Sequence, residues 1–319
     1  MEDSENNTNL PHGMYAELTL ANFIDDAKVA RETLGKSDLY PMNSFPGLSH
    51  YLSGGFGRKN SYELVVLSGR TGHGKSSFAM QMCLDSAMRG DKQGWIIMEE
   101  PVPDQINNFA RFITGGITTN EAMDWAYEQV KDNIEFMDPR FFDESFNTDN
   151  ILEWIKIRHE RGTSLFLFDH LNWAFDSADD LATRDPWPKQ RKFVKRLARL
   201  CQELKITVIL VAHSVKGAGA KEMNREDRVA ASKAVMEVAT RGIWVENTKD
   251  GFLVEQIKAR GLQARWFPWY LDRSQYCFRE KTMDEMTEEQ RIYIAENGLD
   301  PHKFERRFPS YWENEQQKL

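Results

Sequence analysis

The residues best suited to chemistry run Gly69-Arg70-Thr71-Gly72-His73-Gly74-Lys75-Ser76, with Ser77 next in the chain. A glycine, four residues, a second glycine, then Lys and Ser is the spacing of a loop that cradles phosphate groups. Gly69, Gly72 and Gly74 are expected to take positive φ angles, which turns backbone N–H groups inward on an anion. Lys75 reaches β and γ phosphates as a point charge, and the Ser76 hydroxyl is a ligand for Mg²⁺. The flanks fit this chemistry. Leu64-Val65-Val66-Leu67 is an apolar run of strand length, and Phe78, Ala79, Met82, Cys83 and Met88 predict a helix beginning at the phosphates. Strand, loop and helix together imply ATP or another nucleoside triphosphate, with Mg²⁺.

Three further predicted strands end in a polar side chain. Trp95-Ile96-Ile97-Met98 stops at Glu99, Leu165-Phe166-Leu167-Phe168 at Asp169, and Thr207–Ala212 at His213. In an open parallel sheet, ligands gather at the carboxyl ends of strands, so all three are expected beside the loop. Asp169 is placed to hold Mg²⁺ opposite Ser76. Glu99, nearer the strand than Glu100, suits a general base for the water that attacks the γ-phosphate. His213 suits a γ-phosphate contact that reports hydrolysis to the loop beginning at Ser214.

The elements that must position these groups alternate. After a polar start, Leu18–Leu34 carries a short amphipathic segment, which packs on its own domain or on a neighbouring subunit. Phe45-Pro46-Gly47-Leu48 and the glycines 54, 55 and 57 lead into the first strand as a tight turn. Helices are expected over Asp104–Gln129, broken at Gly115-Gly116, over Ile151–Ile157, and from Pro186 to Leu204. Ile134–Met137, Ile243–Glu246, Phe252–Lys258 and Trp266–Asp272 are further predicted strands. Buried strands alternating with helices indicate an α/β fold with a mainly parallel sheet flanked by helices.

The 319 residues suffice for one large core with appendages. The net charge of −8 excludes a uniformly basic nucleic-acid binder, so basic residues that meet a nucleic acid must be concentrated on one surface. Such a concentration occurs in the polar stretch 215–231, at Lys216, Lys221, Arg225 and Arg228. Cys83, Cys201 and Cys277 are far apart in apolar contexts, as buried free thiols in a reducing compartment. The acidic N-terminus has no secretory or mitochondrial pattern and no apolar run is long enough to span a bilayer, so a cytoplasmic protein is expected, in the host cytoplasm if viral.

In order and spacing these motifs resemble the ATPase domain of DnaB-type replicative helicases, closest to the helicase half of phage primase–helicases and Twinkle. The carrying residues are 45–48 and 54–57, the phosphate loop, Met98-Glu99-Glu100, Phe168-Asp169-His170, the helix 191–204 with the strand 207–213, and Ile257-Lys258-Ala259-Arg260-Gly261. The resemblance covers roughly 45–280. It implies a RecA-like P-loop core at 45–280 and a subunit-docking arm at 1–44; the acidic tail at 281–319 is read from composition and departs from the resemblance. It further implies a six-membered ring with ATP between subunits, moving 5′ to 3′ on single-stranded or forked DNA. Glu99 matches the catalytic glutamate, Asp169 the Mg²⁺ acid and His213 the γ-phosphate sensor. Arg260 matches an arginine finger entering the neighbour's site, with Lys258 beside it. Lys216, Lys221, Arg225 and Arg228 match a central loop gripping the DNA backbone. Many relatives continue with Asp-Leu-Arg-Gly-Ser-Gly, where this chain has Arg228-Val229-Ala230-Ala231-Ser232-Lys233, which puts Lys233 in the place of a missing contact. With no primase ahead of the motor, a separate primase is expected. The tail either docks a polymerase or single-strand-binding protein or is a solvated extension. The same fold also serves recombinases and DNA-remodelling or loading ATPases that do not unwind duplex.

Overall fold

The computed structural model describes residues 39–40, 42–57, 59, 61–98, 100–137, 147–171, 187–213, 233–260, 267–273, 277–305 and 311–318. Among these, nine strands form one sheet in the order β3-β2-β4-β5-β1-β6-β7-β8-β9. The first six neighbours in that order, β3 (Ile134–Met137), β2 (Gln93–Ile97), β4 (Leu165–Asp169), β5 (Thr207–His213), β1 (Glu63–Gly69) and β6 (Arg241–Thr248), pair in parallel. β7 (Gly251–Ala259), β8 (Trp269–Arg273) and β9 (Phe278–Glu280) extend the sheet as an antiparallel meander.

The central strands are apolar along their length because both faces are covered, and each face reads every second residue. Val65 and Leu67 of β1 join one core with Leu165, Leu167, Ile209 and Val211. Leu64 and Val66 join the other with Phe166, Phe168, Val208 and Leu210. On the first face lie α2 (Lys75–Met82), α3 (Leu84–Met88), α4 (Val102–Ile113) and α5 (Asn120–Val130). On the second lie α6 (Thr148–Glu160), α7 (Trp187–Leu204) and α8 (Lys233–Val238). The expected helix after the phosphate loop is thus two, separated at Cys83. The break expected at Gly115-Gly116 separates α4 from α5, where both glycines take positive φ.

Residues expected as a turn before β1 contain a helix, α1 (Pro46–Tyr51). Pro46 occupies its first turn, and no neighbouring side chain caps it. The cap comes instead from Glu280 on β9, whose carboxylate accepts the Leu48 N–H at 2.7 Å and the Trp269 Nε1–H at 3.1 Å. A second buried polar group fixes the turn that follows. Arg241 at the start of β6 donates to the carbonyls of Leu52 at 2.8 Å and Gly55 at 2.6 Å, and its Nε lies 3.3 Å from Glu63.

The segment from 281, expected as an acidic tail, carries apolar groups into the same core. α9 (Glu288–Glu296) starts with a Thr287/Gln290 capping box and buries Tyr293 and Ile294, and a 3₁₀ turn (Pro301–Phe304) buries Phe304. Tyr293 packs against the rings of Tyr51, Phe267 and Trp269. In α10 (Tyr311–Gln316), Tyr311 bonds to buried Asp85, which also accepts from the Ser44 N–H at 3.0 Å and its hydroxyl at 2.9 Å. The three cysteines are free and buried. Among the described residues no helix is long and apolar enough to cross a membrane.

Burial pushes the Glu280 carboxyl up from 4.5 to about 7, against the N–H groups that favour its ionised form. Between these values the folded group keeps its proton and the unfolded one does not. Its contribution to stability is therefore full below pH 4.5 and is lost as pH rises toward 7. Glu280→Gln has no such titration. Urea denaturation across this window should show the variant gaining on the wild type as pH rises; a constant difference between the two contradicts this role.

Candidate nucleotide site

The parallel register brings the expected groups to one sheet edge. Gly69 at the end of β1 lies opposite His213 at the end of β5 and Val245 in β6, and Ile97 lies opposite Asp169. The Met98 N–H continues this contact to the Asp169 carbonyl at 3.0 Å. Asp169 itself is only 3% exposed. Glu99 follows directly in sequence but lies outside the described residues. Glu100 is held by α4, accepting from Gln105 Nε2 at 2.7 Å.

Within the loop, Gly72 (φ 78°) and Gly74 (φ 86°) have the expected left-handed backbone. Gly69 corrects the expectation. It is a strand residue, and its glycine requirement is steric, because a Cβ there would stand 2.1 Å from the Val245 carbonyl oxygen. Gly74 is the residue at which α2 begins, so the first N–H groups of that helix face whatever the loop holds. Lys75 is nearly buried and donates to the Arg70 carbonyl at 3.0 Å, which keeps its ammonium over the loop. Ser76 and Ser77 follow on the first turn, half-buried.

His213 joins two elements. Its Nδ1 lies 3.4 Å from the Thr71 hydroxyl, and its ring meets that of His170 at 4.3 Å between centroids. A side chain touching both the phosphate loop and the residue after Asp169 is well placed to register a change in either.

Other partners were not legible beforehand. Glu246 at the end of β6 pairs with Arg70 at 3.2 Å, and the Asn247 N–H donates to His73 Nδ1 at 3.0 Å. Arg273 at the end of β8 donates to the His73 carbonyl at 3.4 Å. The parallel register of β6 with β1 brings Glu246 and Asn247 to the loop, and the antiparallel β7 and β8 bring Arg273; local sequence marks Glu246 only as the end of a predicted strand and does not mark the other two.

Lys258 and Arg260 lie elsewhere. Ala259 pairs with Arg241, and Arg241 with Val65 near the start of β1. Because β7 is antiparallel, its last residues stand about four residues below Gly69 and two strands away, about 13 Å along and ~10 Å across. Arg260 donates to the Glu237 carbonyl at 2.8 Å, and Lys258 to the carbonyls of Met236 and Glu237. Both cations thus cap the negative end of α8. Lys216, Lys221, Arg225 and Arg228 fall outside the described residues, as does the side chain of Lys233, whose backbone opens α8.

The phosphate loop and the strands β1, β2, β4 and β5 fall within a recognised domain: the AAA-domain profile matches residues 57–219, just over half of the chain. The chain belongs to the AAA-domain family. No curated protein sequence matches it significantly. Within this family its fold is RecA-like, as solved structures show. One solved ATPase domain superposes with a TM-score of 0.61 at 14% identity, over 79% of this chain and 96% of that one. A DnaB-like replicative helicase solved in a study of its interactions with primase gives 0.62 at 13% identity, over 82% and 67%. A KaiC-like protein from the archaeon Pyrococcus horikoshii OT3 gives 0.54 at 19% identity, over 72% and 93%. As a member of this ATPase family the chain is a nucleotide-binding hydrolase in kind.

Burial holds the His73 imidazole below its ordinary pKa, helped by the cations of Arg70, Lys75 and Arg273 and opposed by Glu246. The neutral ring then accepts the Asn247 N–H. Polyphosphate in the loop would offset those cations, so NMR titration of His73 should give a higher pKa with saturating Mg-ADP than without nucleotide. An unchanged or lower value contradicts this picture of the loop.

Proposed function

We propose that the chain is a ring-forming, ATP-driven replicative DNA helicase that hydrolyses Mg-ATP between subunits and moves 5′ to 3′ on single-stranded DNA. The observation that carries this reading is the separation of Arg260 from its own phosphate loop. A guanidinium at the opposite sheet edge serves hydrolysis only if a second copy brings its loop to that edge, which is the geometry of a motor assembled from interfaces.

In this reading the nucleotide lies along the β1–α2 loop, Gly69 to Ser77, with Lys75 on its β and γ phosphates. Ser76 and Asp169 offer a hydroxyl and a carboxylate on one sheet edge, hard oxygen donors suited to Mg²⁺. The bound ion would supply charge neutralisation at the phosphate oxygens. Glu99 accepts a proton from the attacking water. Arg260, with Lys258 beside it, stabilises charge that develops in the neighbour's transition state. His213, between Thr71 and His170, passes the state of the γ-phosphate to the chain that continues from Ser214. Lys216, Lys221, Arg225, Arg228 and Lys233 neutralise DNA phosphates without reading bases.

The arm at 1–44 docks the next subunit, and a separate primase supplies primers. The segment 281–319 is the proposed dock for a polymerase or single-strand-binding protein. Such a motor works in the cytoplasm, that of the host if the protein is viral. The second reading is an ATPase that switches or remodels DNA assemblies, as loaders and recombinases do, without unwinding, because the same fold serves both.

ATP hydrolysis and fork unwinding, each with and without single-stranded DNA, separate the two. The motor reading predicts DNA-stimulated hydrolysis and unwinding, with Arg260→Ala lowering turnover on the order of 10³-fold. Hydrolysis without any fork opening favours the switch. Lys216→Ala with Lys221→Ala should weaken DNA binding and flatten its salt dependence by about two contacts; unchanged binding removes the DNA role of that loop.

A further inference from the structure

Three cations meet at the start of α2. Lys75 and Arg70 belong to the phosphate loop itself, and Glu246 offsets Arg70. The third, Arg273, arrives from three strands away, and the proposed reaction gives it no part. The register explains its arrival. Gly69 is level with Val245, Val245 with Val254, and Val254 with Trp269. β8 runs in the same direction as β1, so Arg273, four residues beyond Trp269, overhangs the end of β1 by about 13 Å. Trp269 and Leu271 sit in the core that includes the α2 face, and alternation puts Arg273 on that side and Asp272 on the other.

The guanidinium lies against the backbone of the loop. A Cβ on Gly74 would stand 3.1 Å from its Cζ and 3.2–3.3 Å from its two terminal nitrogens. One of those nitrogens donates to the His73 carbonyl at 3.4 Å, and Cζ lies 5.6 Å from the Phe278 ring centroid. Among the described residues, no carboxylate lies within ion-pair distance of it. The arrangement is electrostatically inverted. A cation beside the N-terminal N–H groups of a helix opposes the helix dipole, and two more cations stand nearby. An anion held by those N–H groups converts all of these repulsions into attractions.

The geometry assigns Arg273 to the nucleotide site as a contact made in cis: a planar, two-pronged cation for the polyphosphate held by the loop of its own subunit. This rests on the reading of that loop as a nucleoside triphosphate site. Arg273 donates to the His73 carbonyl whereas Lys75 donates to that of Arg70, so the two cations meet the loop at different residues. The guanidinium fork suits paired oxygens in a way an ammonium does not. Its role differs from that of Arg260. A cis contact strengthens binding of diphosphate and triphosphate alike and needs no neighbouring subunit, so its loss appears in affinity before it appears in turnover.

Calorimetric titration of the full chain with Mg-ADP and Mg-GDP tests this. Arg273→Ala should weaken both roughly tenfold, in line with one lost charge-assisted contact. Arg273→Lys should recover part of the loss, and the nucleotide-free melting temperature should stay near that of the wild type. Arg273→Gln keeps a donor for the His73 carbonyl without the charge, and serves if the alanine variant does not fold. Affinities within about twofold of the wild type overturn the assignment while leaving the site itself standing. A loss confined to one base identifies a base contact and overturns the phosphate assignment. A wild type that binds neither nucleotide overturns the underlying site.

Discussion

The structure depends on one constraint, the direction of its strands. Six parallel strands deliver their carboxyl ends to a single edge, and that edge collects the phosphate loop, Asp169 and His213. Beyond β6 the antiparallel continuation sends alternate strand ends to opposite edges. β6 and β8 end beside the loop and bring Glu246, Asn247 and Arg273 to it. β7 ends at the other edge and leaves Lys258 and Arg260 there, docked on the last carbonyls of α8. α8 directly follows the stretch 214–232, so in sequence and by hydrogen bonds the proposed finger and the proposed DNA loop share one element. A shift of that helix would move both ends of the proposed cycle together.

The edges are held by buried polar groups whose partners are far away in the chain. Arg241, Glu63 and the carbonyls of Leu52 and Gly55 fix the turn before β1 on the lower edge. Burying such a pair yields little net stability, but removing one partner strands a charge at a cost of about 3–5 kcal/mol, so the pair specifies geometry more than it adds stability. Glu280 does the same for α1, and Asp85 ties both Ser44 and Tyr311 to the helices behind the phosphate loop. Residues near both ends of the described chain thus converge on the elements that carry the nucleotide site.

What could be read beforehand follows from how local the signal is. The phosphate loop, the apolar strands and the helix 187–204 are written in contiguous residues, and their periods survive any packing. The polar residue closing each strand was legible for the same reason. α1 was not, because its cap sits 232 residues away at Glu280. Nor was the reason for Gly69, which is set by a carbonyl of a neighbouring strand rather than by its own backbone angle. Arg273 sits in an ordinary strand sequence, and only the count of antiparallel strands puts it at the loop. The acidic composition after residue 281 likewise hid Tyr293, Ile294 and Phe304, which are too few for a periodic pattern yet enough to anchor a segment.

In the proposed motor each site is completed by a second copy, and mixing variants puts that dependence to the test. Lys75→Ala removes the loop's lysine, Arg260→Ala removes the finger, and neither should hydrolyse ATP appreciably alone. Mixed together, an Arg260→Ala loop can face a Lys75→Ala finger and form an intact interface. Mixtures should then exceed the sum of the separate ATPase activities, with a maximum near equal proportions. Activity no greater than that sum at every ratio, under conditions where the two variants co-assemble, contradicts a site shared between subunits.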